Sequence, residues 1–315
     1  MDETTVGIVL LLLFFLAAGF GIIKDNNSRR KRFLEKMINS WGKFSDREYT
    51  WENLEHISQY FYNRKQTGFC IDDITWNDLD MDRVFVEINK AVCSLGDEYL
   101  YAMLRTPVFR EEELKERHRL MEFFRKDQEA RQKIQELLSH IRKPPNVSVY
   151  EAVHVTKNIA VKGSAVQIIQ CAFFFLSFLA FALYPSVGVF FFLGMMVVNI
   201  GTYLIQKNDI EMYLTSFGCV MQLLAAQKAL EKLKIAELEI YTEKGRKYKK
   251  ALSSFRRGAG IVVERSPAGG GLEGIFLDYI RMMTHIDLIK FYDMMKCMQK
   301  NIRDIEGLME LFGFL

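Results

Sequence analysis

Proline, cysteine and recognisable catalytic spacing are all scarce in this chain. Five prolines and 20 glycines in 315 residues exclude collagen-like and Pro/Gly-rich disordered sequences. The five cysteines (Cys70, Cys93, Cys171, Cys219, Cys297) form no C-x-x-C pair, so they read as free thiols rather than a disulfide framework. The five histidines (His56, His118, His140, His154, His285) stand singly, with no i, i+4 pair to hold zinc. There is no G-x-S-x-G elbow. Asp72-Asp73 and Asp78, Asp80 and Asp82 lack the spacing and glycine of a calcium loop and read as helix caps. No catalytic set, metal site or cofactor site is therefore expected.

Charge is missing from two long stretches. No Asp, Glu, Lys, Arg or His stands from Thr4 to Ile23 or from Gly163 to Gln206. About 20 apolar residues cross a bilayer as a helix. Val6–Ile23 meets that length once, and Ala165–Tyr184 and Val187–Ile205 meet it twice. A spanning segment must satisfy its own backbone, so three helices are expected, the last two joined by a turn at Pro185-Ser186. A buried soluble hairpin is disfavoured because core helices of this length keep a polar face. The acidic start (Asp2, Glu3) and the basic cluster Arg29 to Arg32 after the first run argue against a cleaved signal peptide. The same asymmetry places the N-terminus outside, and residues 24–162 and 207–315 in the cytoplasm.

These features divide the chain into an N-terminal anchor (1–23), a basic and aromatic juxtamembrane segment (24–71) and a helical region (72–162). A transmembrane hairpin (163–206), a returning stretch of one long lever-like helix or two stacked ones (207–257), a Gly-rich loop (258–274) and a last helical part (275–315) follow. The fold class expected is all-α, a membrane-anchored helical core. Asp78 and Asp80 are expected to cap a helix running to about Ala91. Ser94-Leu95-Gly96-Asp97 is similar to a capping box, with its helix ending near Arg105 before Pro107. Glu111, Glu112 and Glu113 suit the next helix's N-terminus. There Leu114, Arg117, Met121 and Phe124 keep the spacing of one buried face.

Residues 72–124 carry a resemblance. Thr75-Trp76-Asn77-Asp78-Leu79-Asp80 resembles the T-x-x-N-L-E segment opening the core of MutS-type mismatch-repair ATPases, with Asp78 and Asp80 in the Asn and Glu places after one register shift. Leu95-Gly96, Leu100, Leu104 and Pro107 match the family's next run, and Leu114, Arg117, Met121 and Phe124 the one after. Glu98 stands where the family has Arg, and Met103 where it often has Trp, so the roles of those residues do not carry over. The resemblance covers about a sixth of the chain. It implies a lever core, here from a membrane-anchored bacterial branch, with the hairpin in place of the DNA clamp. It further implies DNA binding and a repair role coupled to an ATPase. That ATPase requires G-x-x-x-x-G-K-[ST], which this chain lacks. Its one Gly-Lys pair, Gly42-Lys43, precedes Phe44, and Gly269-Gly270-Gly271 has no lysine after it. ATP and magnesium would belong to a further segment or a partner. Phe33-Leu34-Glu35 fits the family's F-x-E mismatch reader in letters alone.

The net charge of +3 names no partner, but one strip is strongly basic. Lys244, Arg246, Lys247, Lys249, Lys250, Arg256 and Arg257 face a single acid, Glu243, with Tyr248 and Phe255 interleaved. Such a strip suits a phosphate backbone. A solvated or protein-facing helix, or an anionic lipid surface, is the other account. A straight helix from Ile205 would hold Lys244 roughly 60 Å from the membrane. The apolar end (Leu308, Met309, Leu311, Phe312, Phe314, Leu315) calls for cover by a second copy, an ATPase partner or a continuing chain. The partners expected are thus the bilayer, DNA, and a homodimer mate or ATPase. A tethered scaffold with no DNA role is the alternative.

Overall fold

Leu, Glu and Lys are frequent in the segments between breaks, and these residues lose little side-chain freedom in a helix. The computed structural model describes residues 28, 31–45, 47–64, 68–142, 147–157, 163–211, 213–262 and 279–315. Every regular element among them is helical, as the all-α expectation required. The expected span Val6–Ile23, Arg29 and Arg30, and residues 263–274 of the expected loop lie outside the described residues.

The helices are α1 (31–40), α2 (Trp51–Tyr62), α3 (Asp73–Asp78), α4 (Met81–Ile88), α5 (Ser94–Arg105), α6 (Glu111–Lys126), α7 (Gln128–Leu138) and α8 (Val149–His154). After them come α9 (Ala165–Leu183), α10 (Pro185–Glu211), α11 (Leu214–Leu233), α12 (Glu239–Ala251), α13 (Ser253–Val262), α14 (279–284), α15 (Ile286–Lys300) and α16 (Ile302–Phe314). Side-chain caps set several starts. Thr50 accepts from the Asn53 amide and Asp72 from the Thr75 amide, and Ser148 with Glu151 forms a full capping box.

The main core gathers α5 to α8 and α11 to α16 around Phe217, Leu223, Phe255, Leu288 and Phe312, all fully buried. A smaller core joins α2, α3 and α4 to α5 through Ile57, Phe61, Trp76, Phe85 and Tyr101.

Helices α9 and α10 pack against each other along the hairpin. Both are long and apolar enough to cross a membrane, and only 11% and 17% of their apolar windows are buried. A soluble core hairpin would be covered; this one is not. The turn is tighter than expected. Pro185 does not interrupt it but opens α10, where its missing N–H costs nothing. A Cβ on Gly188 would stand 2.4 Å from the Phe181 Cα, so glycine is required at this crossing. Gly188→Leu should lower the melting temperature in detergent, by a destabilisation of about 1–3 kcal/mol. Gly194→Leu, with open space around it, should not. Equal melting of the two variants would exclude close packing at the turn.

The hairpin is fastened to the body by buried polar contacts. Asn199 Nδ2 donates to the Met283 carbonyl at 2.8 Å, and His285 Nε2 meets the Asn199 carbonyl at 3.0 Å. Tyr203 donates to Asp287 at 2.7 Å. His285 links α14 to α15 in the left-handed region, at φ 53°.

Several local expectations are corrected. Of the two readings of 207–257, one long helix is excluded and stacked helices are found: α10 runs on to Glu211, and α11 stops at Lys234, which is left-handed at φ 51°. Helix α12 then packs on α11 and α16, so Lys244 is not held at the tip of a straight lever. Gly258–Val262, expected in a loop, completes α13. Asp80 precedes α4 in a left-handed conformation and makes no side-chain cap, and α4 ends at Ile88 rather than near Ala91. Ser94 lies inside α5 and Cys93 takes the cap position, while Asp97 binds Asn89 and Arg47 instead. The end of α5 at Arg105 is as expected. Most of the apolar C-terminus is covered within the chain: Leu308, Met309, Leu311 and Phe312 are buried against α5, α11 and α12, while Phe314 and Leu315 are half-buried.

Candidate functional site

The stripe Leu114, Arg117, Met121, Phe124 is not a buried face. Leu114 and Met121 are exposed, Arg117 and Phe124 half-buried, and Leu120 is the buried residue of α6. Arg117, Met121 and Phe124 instead line a cleft of about 1170 Å³. Its walls come from α1, α5, α6, α7 and the last residues of α16.

Apolar side chains make up much of its lining: Leu100 and Met103 from α5, Leu120, Met121 and Phe124 from α6, Ile134 and Leu138 from α7, and Phe314 and Leu315. Helix α1 contributes Phe33 and Met37, and Trp41 follows at the same spacing of four in the turn after it. Bases line it too: Lys36, Lys43, Arg47, Lys90, Arg117, Arg125 and Arg131, against one acidic side chain, Glu122. Glu122 is held at 2.7 Å by Arg125, which keeps its carboxyl below the ordinary range.

The C-terminal end of α1 is tied to the body. The Arg131 guanidinium lies 3.7 Å from the centre of the Trp41 ring and donates to the Phe124 carbonyl at 2.6 Å. Arg131 sits there because Asp127 caps α7 by accepting from the Ala130 amide. Lys90 donates to the Phe44 carbonyl, and the Ser45 amide to the Glu87 carbonyl at 2.9 Å.

The other face of α5 carries a buried carboxyl. Glu98 is 2% exposed and accepts from the Val149 amide at 2.7 Å and the Tyr150 amide at 3.3 Å. Burial pushes its carboxyl up to about 8, against the pull of those two amides. Cys93 and Cys219 are pushed up to about 11 by burial, as inert core thiols are. Among the described residues no group of His, Cys, Asp and Glu is placed to hold a metal ion. The aspartates singled out by sequence are structural: Asp72 caps α3, Asp73 binds Arg105 and Tyr62, and Asp82 accepts from the Trp76 indole.

The basic strip does not form one free surface. Lys249 pairs with Glu231, and Arg246 with Glu243 and, at 3.8 Å, Glu239. Lys244 lies 6.0 Å from the Tyr241 ring centre and shares a small recess with Glu113, Glu116 and Glu310. Within that recess Glu116 is held down to about 2, chiefly by its hydrogen bonds from Arg119. Lys247, Lys250, Arg256 and Arg257 remain exposed on α12 and α13. Of the motif residues, Leu79 is exposed, Leu100 and Leu104 pack on the smaller core, and Gly96 and Leu100 line the cleft. Pro107 follows the end of α5.

Sequence reasoning missed the cleft because Phe33 was weighed as part of F-x-E rather than with Met37 and Trp41. Their spacing was the available signal. No protein-family model, curated protein or solved structure matches the chain.

Proposed function

We propose that this protein is a membrane-tethered helical binding module, with the base-lined cleft as its working surface. The observation that carries this reading is the cleft: an extensive apolar lining that also holds seven bases and one acidic side chain. Its composition supports binding rather than turnover. Its hydroxyls are Ser40, Ser45 and Tyr99, and its one carboxylate is held by arginine. The uncovered hairpin supports the tether, with the body on the cytoplasmic side by the basic flank Arg29 to Arg32. Alkaline extraction tests the tether: the full chain should stay with the membrane pellet, and release into the supernatant would remove the reading.

A second reading, DNA contact as in MutS-like proteins, is favoured by the exposed Lys247, Lys250, Arg256 and Arg257. Four phosphate contacts predict about a hundredfold loss of affinity for a fourfold rise in salt, by counterion release. Changing the four to Ala should abolish binding. A chain that retains no DNA at low salt has no such role.

A further inference from the structure

Polar side chains inside a membrane span need partners from the protein, because lipid offers none. Helix α10 carries Asn199 and Tyr203, one turn apart and both buried, within its apolar stretch Pro185–Lys207. The joint between α14 and α15 meets them there. Asn199 Nδ2 donates to the Met283 carbonyl, His285 Nε2 meets the Asn199 carbonyl, and Tyr203 donates to the Asp287 carboxyl.

These bonds fix the level of the joint. Met283 and His285 sit beside Asn199, and Asp287 sits beside Tyr203, so α15 starts next to Asn199 and runs along α10 in the same direction. Lys207, the first charge after Gly163, lies eight residues beyond Asn199 and four beyond Tyr203. By helical rise the joint then stands about 6–12 Å on the apolar side of Lys207. The outer face of α10 is uncovered before and after the joint, where Val197, Val198, Leu204 and Ile205 are exposed. The joint has apolar exposure of its own. Ile286, held between His285 and Asp287, is 40% exposed, and Tyr279 and Ile280 are exposed on α14. Tyr279 is four residues from Met283, about 6 Å of helix, so it stays on the apolar side of Lys207 whichever way α14 points.

We propose that α14 and the first turn of α15 form a lipid-contact surface, with Ile280 and Ile286 against the acyl chains of the leaflet nearest the body and Tyr279 toward its headgroups. This rests on the reading of the hairpin as a membrane tether. The occupant follows from continuity: the exposed side chains of the joint extend the uncovered face of α10 at the same level. Tyrosine suits the headgroup boundary, and the half-buried Arg281 can bring its charge there on a long stem. Leu288 and Phe291 carry α15 on into the main core, so this contact holds the body at a fixed height on the bilayer.

Tryptophan placed at the joint tests this. Ile286→Trp and the milder Tyr279→Trp are made in the full chain and reconstituted in phosphatidylcholine nanodiscs, with Val197→Trp reporting on the hairpin itself. Each signal is the difference from the parent, whose own tryptophans are Trp41, Trp51 and Trp76. Phosphatidylcholine brominated along its acyl chains should quench most of the signal at 286 and 197 and part of it at 279. Aqueous acrylamide should quench little at 286. Bromines near the glycerol end of the chains should act on 286 more strongly than bromines near the terminal methyl. The reverse order would put the joint at the bilayer centre and overturn its level. Quenching by bromine at 197, with 286 and 279 responding only to acrylamide, would overturn the lipid contact and leave the tether standing. Bromine without effect at all three positions would remove both. Should Ile286→Trp fail to fold, the response at 279 decides in the same way.

Discussion

Arg105→Ala is expected to cost about 2–4 kcal/mol of stability, the scale for emptying a buried site and leaving its polar neighbours unpaired. The Arg105 side chain is 3% exposed although it ends a helix. One terminal nitrogen donates to the Ile71 carbonyl at 3.1 Å and meets Asp73 at 2.9 Å. The other donates to the hydroxyls of Tyr62 and Tyr101, each at 3.0 Å. The guanidinium carbon stands 4.2 Å from the Trp76 ring centre and 5.4 Å from that of Phe61. The smaller core is therefore built around a cation, with aromatic faces and hydroxyls replacing its water. Truncation leaves a cavity and strips three acceptors of their donor. Lysine keeps the charge but not the planar fork, so Arg105→Lys should recover less than half of the loss. The loss should be local. Hydrogen exchange of α2 to α4 should accelerate, while α11, in the other core, stays protected. A cost below about 1 kcal/mol, the value of a surface pair, would show that the cage contributes little.

What could be read from the sequence, and what could not, divides along physical lines. The hairpin was legible because forty-odd residues without charge leave little alternative to apolar helices. The end of α5 was legible because Pro107 restricts the residue before it. The break at Lys234 was not, since lysine in a left-handed conformation carries none of the glycine signal that marks a helix end. The stripe on α6 was right in its spacing and wrong in its meaning, because periodicity reports a face but not whether another element covers it. Glu98 and Arg105 were opaque for a related reason. An ionisable group is buried only when distant residues supply its partners, here Val149 and Tyr150 for one and Ile71 and Tyr62 for the other. Of the basic strip, composition identified all seven cations. It could not show that Glu231, 18 residues before Lys249, would neutralise one of them.

Glu98 gives the clearest pH dependence. Its folded carboxyl lies at about 8, against an ordinary value of 4.5. Burial is the main cause, and the negative charges of Asp97 and Glu151 add to it. Between those two values the folded chain holds a proton that the unfolded chain has released. Stability must then fall as pH rises, by at most about 1.4 kcal/mol per unit, and level off above pH 8. The full span allows up to about 5 kcal/mol, with the fall beginning near pH 4.5. Glu98→Gln removes the titration and keeps the shape. The Gln carbonyl can still accept from Val149, but its amino group faces the Tyr150 amide, so at pH 5 the variant should be no more stable than the parent. At pH 9 the order should reverse, with the variant ahead by several kcal/mol. Denaturant midpoints of both proteins across that range settle the matter. All other titrations are common to the two chains, so their difference isolates this carboxyl. A difference constant from pH 5 to 9 would mean that Glu98 is ionised throughout, with the two α8 amides alone offsetting its burial. A difference that grows with pH would mean that α5 meets α8 through a neutral carboxyl at pH 7, and that ionisation loosens the contact on the face of α5 opposite the cleft.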